Sequence, residues 1–205
     1  MTRSENTEWN PDDYDLWYEK EPGKTIDLIE TECALSLLLP INGKRILDVG
    51  CGTGNFTKKL SCLGYDAIGI DPSSEMLEKA LKKSLNCTKG YAENLPFDDK
   101  SFDAVISVAA VEFFTDRKRA ISEMLRVVKK GGKVVVCFIT GAWAKYYKSK
   151  KSGALSEANF PKVEDFLPFA EKAKFCLRSK PGENVDFSNE KTMKEAGFVC
   201  VLIEK

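Results

Sequence analysis

The chain has 205 residues, 43% of them hydrophobic, and its 31 Lys+Arg balance 31 Asp+Glu to a formal net charge of zero. That length fits one domain with a sizeable core. The neutral balance lacks the basic excess of a nucleic-acid binder. No run of about 18 apolar residues exists, so no membrane-crossing helix is expected.

Residues 1–13 are polar and acidic and do not read as a signal peptide. Seven cysteines occur without a C-x-x-C pair, mostly inside apolar segments. They read as buried reduced thiols in a cytoplasmic protein. The chain has no histidine, and no metal site is expected.

Tyr14, Trp17 and Tyr18 form an aromatic cluster before the turn signal Pro22-Gly23. Either a helix face packs them on the core, or they cover a ligand. Ile26, Ile29, Cys33, Leu37 and Leu38 recur at helical spacing up to Pro40, which ends that helix.

The next stretch organises the chain. Ile46-Leu47-Asp48-Val49 is a short apolar strand broken by Gly50, Gly52 and Gly54, and Phe56, Leu60 and Leu63 then mark a helix face closed by Gly64. Strand, glycine turn and helix make a loop that approaches a ligand closely and offers it free N–H groups. Asp66 to Asp71 is a second strand ending in an acid, and Met76, Leu77, Ala80, Leu81 and Leu85 mark the helix after it. A weak third strand falls near Cys87 to Gly90, and Phe102 to Val108 is a strong fourth. Ala120, Ile121, Met124, Leu125 and Val128 mark a helix stopped by Gly131-Gly132, before an apolar fifth strand from Lys133 to Ile139.

Residues 142–170 read as a substrate-side insertion, within which Lys145, Lys148, Lys150 and Lys151 cluster. Two late strands follow, near Phe175 to Leu177 and from Phe198 to Ile203. Alternating strands and helices predict a parallel sheet covered on both faces.

Dinucleotide loops favour Gly-x-Gly-x-x-Gly. Here the third glycine would fall at Asn55, while the chain places glycines at 50, 52 and 54. Asp48 at the strand end suits an ammonium group. Asp71, at the end of the second strand, suits a ribose diol.

Asp48-Val49-Gly50-Cys51-Gly52-Thr53-Gly54, Tyr91-Ala92-Glu93-Asn94-Leu95-Pro96-Phe97 and Phe102 to Ala109 together resemble the class I S-adenosylmethionine-dependent methyltransferases, in the branch acting on small molecules. The resemblance implies an α/β, Rossmann-like, doubly wound seven-stranded sheet, mostly parallel, whose antiparallel last strand lies between the fifth and sixth. It implies one domain over 1–205, with a lid and helix to residue 40, a cofactor-binding core at 43–140, and an insertion and last strands at 141–205. The cofactor residues it implies are Asp48, Gly50, Cys51, Gly52 and Gly54 in the loop and Asp71, Pro72 and Met76 beyond the second strand. Ala92 and Glu93 would stand near adenine, Val108 near the methionine end, and Tyr14 and Tyr18 in the lid. Tyr91 replaces the acid common in the family, which leaves Ala92 as the backbone contact.

The expected activity is methyl transfer from S-adenosylmethionine to a small-molecule acceptor, with neither nucleic acid nor membrane as partner. A non-catalytic protein binding S-adenosylmethionine or S-adenosylhomocysteine is the alternative on this fold, and a nicotinamide oxidoreductase a weaker one. With no histidine present, Glu112 is the candidate base. Either the acceptor is already nucleophilic and alignment suffices, or Glu112 is buried enough to titrate near 6–7.

Overall fold

The computed structural model describes residues 10–140, 159–161, 165–169, 174–178 and 198–205. The lysine cluster and most of the expected insertion lie outside these residues.

Helix α1 (Pro11–Tyr18) starts at Asn10, whose side chain accepts the Asp12 N–H. Helix α2 (Gly23–Leu38) buries Ile26, Ile29, Glu30, Cys33, Ala34, Leu37 and Leu38. The strands are β1 (Arg45–Val49), β2 (Asp66–Asp71), β3 (Cys87–Lys89), β4 (Phe102–Val108), β5 (Val128–Ile139), β6 (Lys174–Arg178) and β7 (Phe198–Glu204). Between them lie α3 (Asn55–Cys62), α4 (Ser74–Lys82) and α5 (Arg117–Val127). Among the described residues, no helix is long and apolar enough to cross a membrane.

The sheet runs β3-β2-β1-β4-β5-β7-β6. Strands β1 to β5 pair in parallel, and β7 pairs antiparallel with both β5 and β6. This is the Rossmann-like α/β arrangement, with its antiparallel last strand in the expected place. Chain order reverses between β1 and β4, and the loops leaving neighbouring strands diverge there to form a crevice.

Each sheet face has its own core. On one face Cys33, Leu38, Phe56 and Leu60 of α2 and α3 pack on Ile46, Ile106 and Val135. On the other, Ala120, Ile121 and Met124 of α5 pack on Leu47, Val105, Val134 and Val201. The strands crossing both cores are apolar on both sides, so they read as unbroken hydrophobic runs rather than alternating ones. Each fully buried Leu, Ile or Phe in them contributes about 1.5–3 kcal/mol.

Four expectations change. Leu63 and Leu81 are more than half exposed: Leu63 lies just past the end of α3, and Leu81 sits on the outer side of α4. Gly131-Gly132 does not stop α5, which ends at Val127. The pair lies inside β5, where the register with β4 shifts between Phe102 and Ala104 and Gly131 takes φ +77°. That is the irregularity a glycine in a strand permits. The thiols are not all reduced: Cys137 and Cys200, direct partners across β5 and β7, form a disulfide. Their Cα atoms lie 4.0 Å apart, which brings the two side chains together on one face. Cys51, Cys62 and Cys87 are free, and Cys62 is exposed rather than buried.

Candidate functional site

The loop after β1 turns because glycines allow it. Gly50, Gly52 and Gly54 all have positive φ, at 78°, 54° and 83°. Gly50 and Cys51 donate their N–H groups to the Ile70 carbonyl, which ties the loop to β2. A Cβ on Gly50 would lie 2.3 Å from that of Ala110, so the segment after β4 crosses directly over it. A Cβ on Gly52 would meet nothing within 4 Å. That open space belongs to a cavity of about 180 Å³, which Gly52 lines.

The cavity is walled by Ile70, Asp71, Pro72 and Met76 on one side and by Ala92, Glu93, Phe113 and Phe114 on the other. Asp71, one of its two acids, is 9% exposed. Its Oδ2 accepts the Gly52 N–H and its Oδ1 the Ser73 N–H, each at 2.9 Å. Burial raises its pKa, and the two amide bonds oppose that rise. Each carboxylate oxygen keeps a second lone pair for a ligand hydroxyl. Asp71 therefore shapes the loop as well as facing the cavity, a role that the sequence reading did not assign.

A polar recess of about 30 Å³ adjoins this cavity and shares Tyr14 and Gly50 with it. Tyr18, Asp48, Cys51 and Val108 line the recess. Asp48 is 1% exposed, and its Oδ2 accepts the Thr57 hydroxyl at 2.6 Å. Burial still pushes its pKa up to about 6. The Cys51 thiol turns back over Gly69 towards Cys87, and their hydrogen bond, then burial, raises its pKa. Tyr14 and Tyr18 hydroxyls lie 3.3 Å apart, and burial raises both pKa values.

Helix α1 covers the recess. Asp15 accepts the Thr53 hydroxyl at 2.6 Å through Oδ1 and pairs with Lys83 at 2.8 Å through Oδ2, and Asp12 pairs with Lys79. The aromatic cluster is thus on a helix clamped to both the glycine loop and α4.

Two predicted residues have other work. Gly54 lines neither space: a Cβ there would strike Leu85 and Ala80, so its lack of a side chain lets α4 approach. It also begins α3 in a left-handed conformation. Glu93 borders the main cavity, but its Oε1 accepts the amides of Thr115 and Asp116, which fixes the loop before α5.

Glu112 sits on a 3-10 turn (Val111–Phe113) just past β4 and is 1% exposed. Its Oε1 accepts the Ile139 N–H at 2.5 Å, and burial raises its pKa to about 7. Of the two alternatives left open by the sequence, this is the one in which Glu112 titrates near neutrality.

The sequence reading missed Glu30. It lines the recess, is 5% exposed, and titrates at about 8 through burial and the charges of Asp27 and Glu112. One signal was available: Glu30 falls four residues after Ile26 and three before Cys33, inside the apolar stripe of α2. A charge in such a stripe marks either a partner or a site.

The combined space fits a nucleoside with an amino-acid tail. The larger cavity offers apolar walls and two acids, Asp71 and Glu93, and the recess offers carboxyl and hydroxyl groups. Gly50 stands where the two parts join.

Comparison with known proteins agrees with this geometry. A model described as a methyltransferase domain matches residues 47–136. A crystal structure of an S-adenosylmethionine-dependent methyltransferase of Thermotoga maritima, described as a possible histamine N-methyltransferase, is 30% identical. The match covers 95% of each chain with a TM-score of 0.77. An uncharacterised protein of Methanocaldococcus jannaschii is 29% identical over 95% of this chain and 96% of its own. A demethylmenaquinone methyltransferase of Thermotoga maritima is 38% identical over 106 residues, which are 50% of this chain and 46% of that protein. The chain spans about half the length of the demethylmenaquinone methyltransferases it matches.

Proposed function

The chain belongs to the class I S-adenosylmethionine-dependent methyltransferases, and from that premise we propose that it methylates a small-molecule acceptor. One observation carries the reading. The open space over Gly52 continues past Gly50 into an acid-lined recess, and it is bordered by Tyr14 of α1 and by the segment after β4. A macromolecular acceptor would need a more open approach to that junction.

S-adenosylmethionine, the cofactor of this family, supplies a methyl group activated on a sulfonium. In our reading Asp71 takes the ribose hydroxyls, the Ala92 backbone meets the adenine, and Asp48 faces the ammonium. Pro72 and Met76 pack against the nucleoside, while Cys51 and Val108 border the tail. Tyr14 and Tyr18 exclude water from above. The chain contributes alignment and desolvation, which can supply about 7–11 kcal/mol of a bimolecular barrier. Glu112 is the base in this scheme: it lines neither the cavity nor the recess, so it would act through one intervening water, and a carboxyl near 7 exchanges a proton readily at neutral pH. The sheet order supports the full seven-stranded form of the fold with β6 as its far edge.

Isothermal titration tests the reading. S-adenosylhomocysteine should bind at about micromolar strength, near −8 kcal/mol. Tight binding of NADH with none of S-adenosylhomocysteine would overturn it.

A further inference from the structure

The cofactor's tail carries two charges, an ammonium and a carboxylate, and the polar recess treats them unequally. Its charged side chains are all acids: Asp27, Glu30 and Asp48. Among the described residues, no lysine or arginine lines it. Lys59, the cation that acts on Glu30, is committed to Asp27 and to the Thr31 hydroxyl. The N–H groups of the glycine loop are committed too. Gly50 and Cys51 donate to the Ile70 carbonyl, Gly52 to Asp71, and Gly54 to the Cys51 carbonyl. What remains for a carboxylate is the first turn of α3, whose Asn55 and Phe56 border the recess.

Glu30 stands apart from the other two acids. Asp27 is held by Lys59 and by the Asn55 amide. Asp48 accepts the Thr57 hydroxyl. Glu30 borders the recess and is 5% exposed, and among the described residues no hydrogen bond reaches its carboxyl. Its neighbours on the buried stripe of α2 are Ile26 and Cys33. A buried carboxyl without a partner is unfavourable, and an apolar side chain would be more stable at that position. A ligand cation in the recess supplies the missing partner.

We propose that Glu30 selects the cofactor's tail by its ammonium group, jointly with Asp48, and that the tail's carboxylate adds little to binding. An ammonium group has three donors and no acceptor, so it can serve both acids at once. One acid comes from α2 and the other from β1, so the amine ties helix to sheet. The same cradle takes a tail with no carboxylate at all, the aminopropyl sulfonium of decarboxylated S-adenosylmethionine. This proposal rests on the methyltransferase reading and specifies how its cofactor is chosen.

Binding then has a proton signature. The groups that face Glu30 are Asp27 on its own helix, Tyr14 and Tyr18 on α1, Asp48 on β1, Lys59 on α3 and Glu112 beyond β4. Burial, then Asp27 and Glu112, raises its pKa to about 8, and Lys59 opposes that rise. Without a ligand cation the carboxyl is therefore mostly protonated at pH 7. An ammonium beside it favours the carboxylate. The O–H bond breaks, the oxygen keeps the electron pair, and the proton leaves for solvent.

The test is calorimetric titration at pH 7. The ligands are S-adenosylhomocysteine, its analogue without the tail amine, its analogue without the tail carboxylate, and methylthioadenosine, which lacks both groups. Loss of the amine should weaken binding about tenfold or more, and loss of the carboxylate less than about threefold. Glu30→Gln should weaken S-adenosylhomocysteine about tenfold or more and leave methylthioadenosine within about threefold. In buffers of different ionisation enthalpy, the same variant should release fewer protons on binding S-adenosylhomocysteine. An amine-free analogue that binds as tightly as S-adenosylhomocysteine overturns the proposal, and so does a greater loss from removing the carboxylate than from removing the amine. Unchanged S-adenosylhomocysteine affinity in Glu30→Gln also overturns it. Equal weakening of methylthioadenosine does the same, because the effect would then be structural. If Glu30→Gln does not fold, the two analogues on the wild-type chain decide. A wild-type chain that binds neither S-adenosylhomocysteine nor methylthioadenosine overturns the broader reading. Binding of both without preference for the amine overturns this proposal alone.

Discussion

Replacing Asp71 by alanine removes two hydrogen bonds made to a carboxylate, from the N–H groups of Gly52 and Ser73. Bonds to charged groups contribute about 1.5–3 kcal/mol each, and neighbouring ones add imperfectly. The expected loss of unliganded stability is therefore about 2–4 kcal/mol, a fall in Tm of roughly 4–16 °C for a chain of this size. Cofactor affinity should drop as well, by about 1.5–3 kcal/mol for the missing ribose contact and more if the loop loosens. Asp71→Asn separates the effects, because its amide oxygen can still accept from one of the two N–H groups. Denaturation without ligand, followed by titration with S-adenosylhomocysteine, measures each part. Unchanged stability and unchanged affinity for the alanine variant would refute the assignment of Asp71 to both loop and ligand.

Gly52→Val should abolish S-adenosylhomocysteine binding, since its branched side chain would enter the open cavity from a backbone at φ +54°; retained affinity in titration would mean that the ligand lies elsewhere. Asp15→Asn should loosen α1 by weakening its pairing with Lys83 and Thr53, raising amide exchange along Pro11–Tyr18 and lowering cofactor affinity by about 0.5–1 kcal/mol; undiminished protection would show that the clamp is idle. Glu30 at about 8 and Glu112 at about 7 hold protons in the folded state that the unfolded chain releases near 4.5. Their stabilisation is complete below pH 4.5 and is lost as pH rises to 8, with a slope of up to about 1.4 kcal/mol per pH unit for each group. Urea midpoints across that range should fall and then level off, and Glu30→Gln should flatten the part between 7 and 8; a rising wild-type curve would contradict the burial of these acids.

The glycine loop and Asp71 were legible because their signals are local. Alternating glycines between a strand and a helix have few other uses, and the acid stands at a fixed distance beyond them. The clamp on α1 was not legible, because Asp15 meets Thr53 across 38 residues of chain. Nothing in the neighbourhood of either residue announces the other. The Cys137–Cys200 bond depends on the register of two strands 63 residues apart. That register is set by the packing of both faces and not by the sequence around either cysteine. Gly131-Gly132 misled because glycine after a helix usually marks its end. Here the segment pairs with β4 and β7 instead, and the tertiary context overrides the local preference.

The position of β7 also governs how the chain can fold. Strand β5 finds its outer neighbour only when residues 198–204 arrive, because β7 pairs along β5 from Lys133–Glu204 to Ile139–Phe198. Until then β5 presents an apolar edge with unpaired N–H and C=O groups, the kind of surface on which chains associate wrongly. The parallel part from β1 to β5 can form earlier, but closing the sheet joins segments far apart in sequence, which slows the final step. A nascent chain therefore carries the apolar edge of β5 unpaired while the residues between β5 and β7 are made; Cys137 and its partner Cys200, for example, stand 63 residues apart.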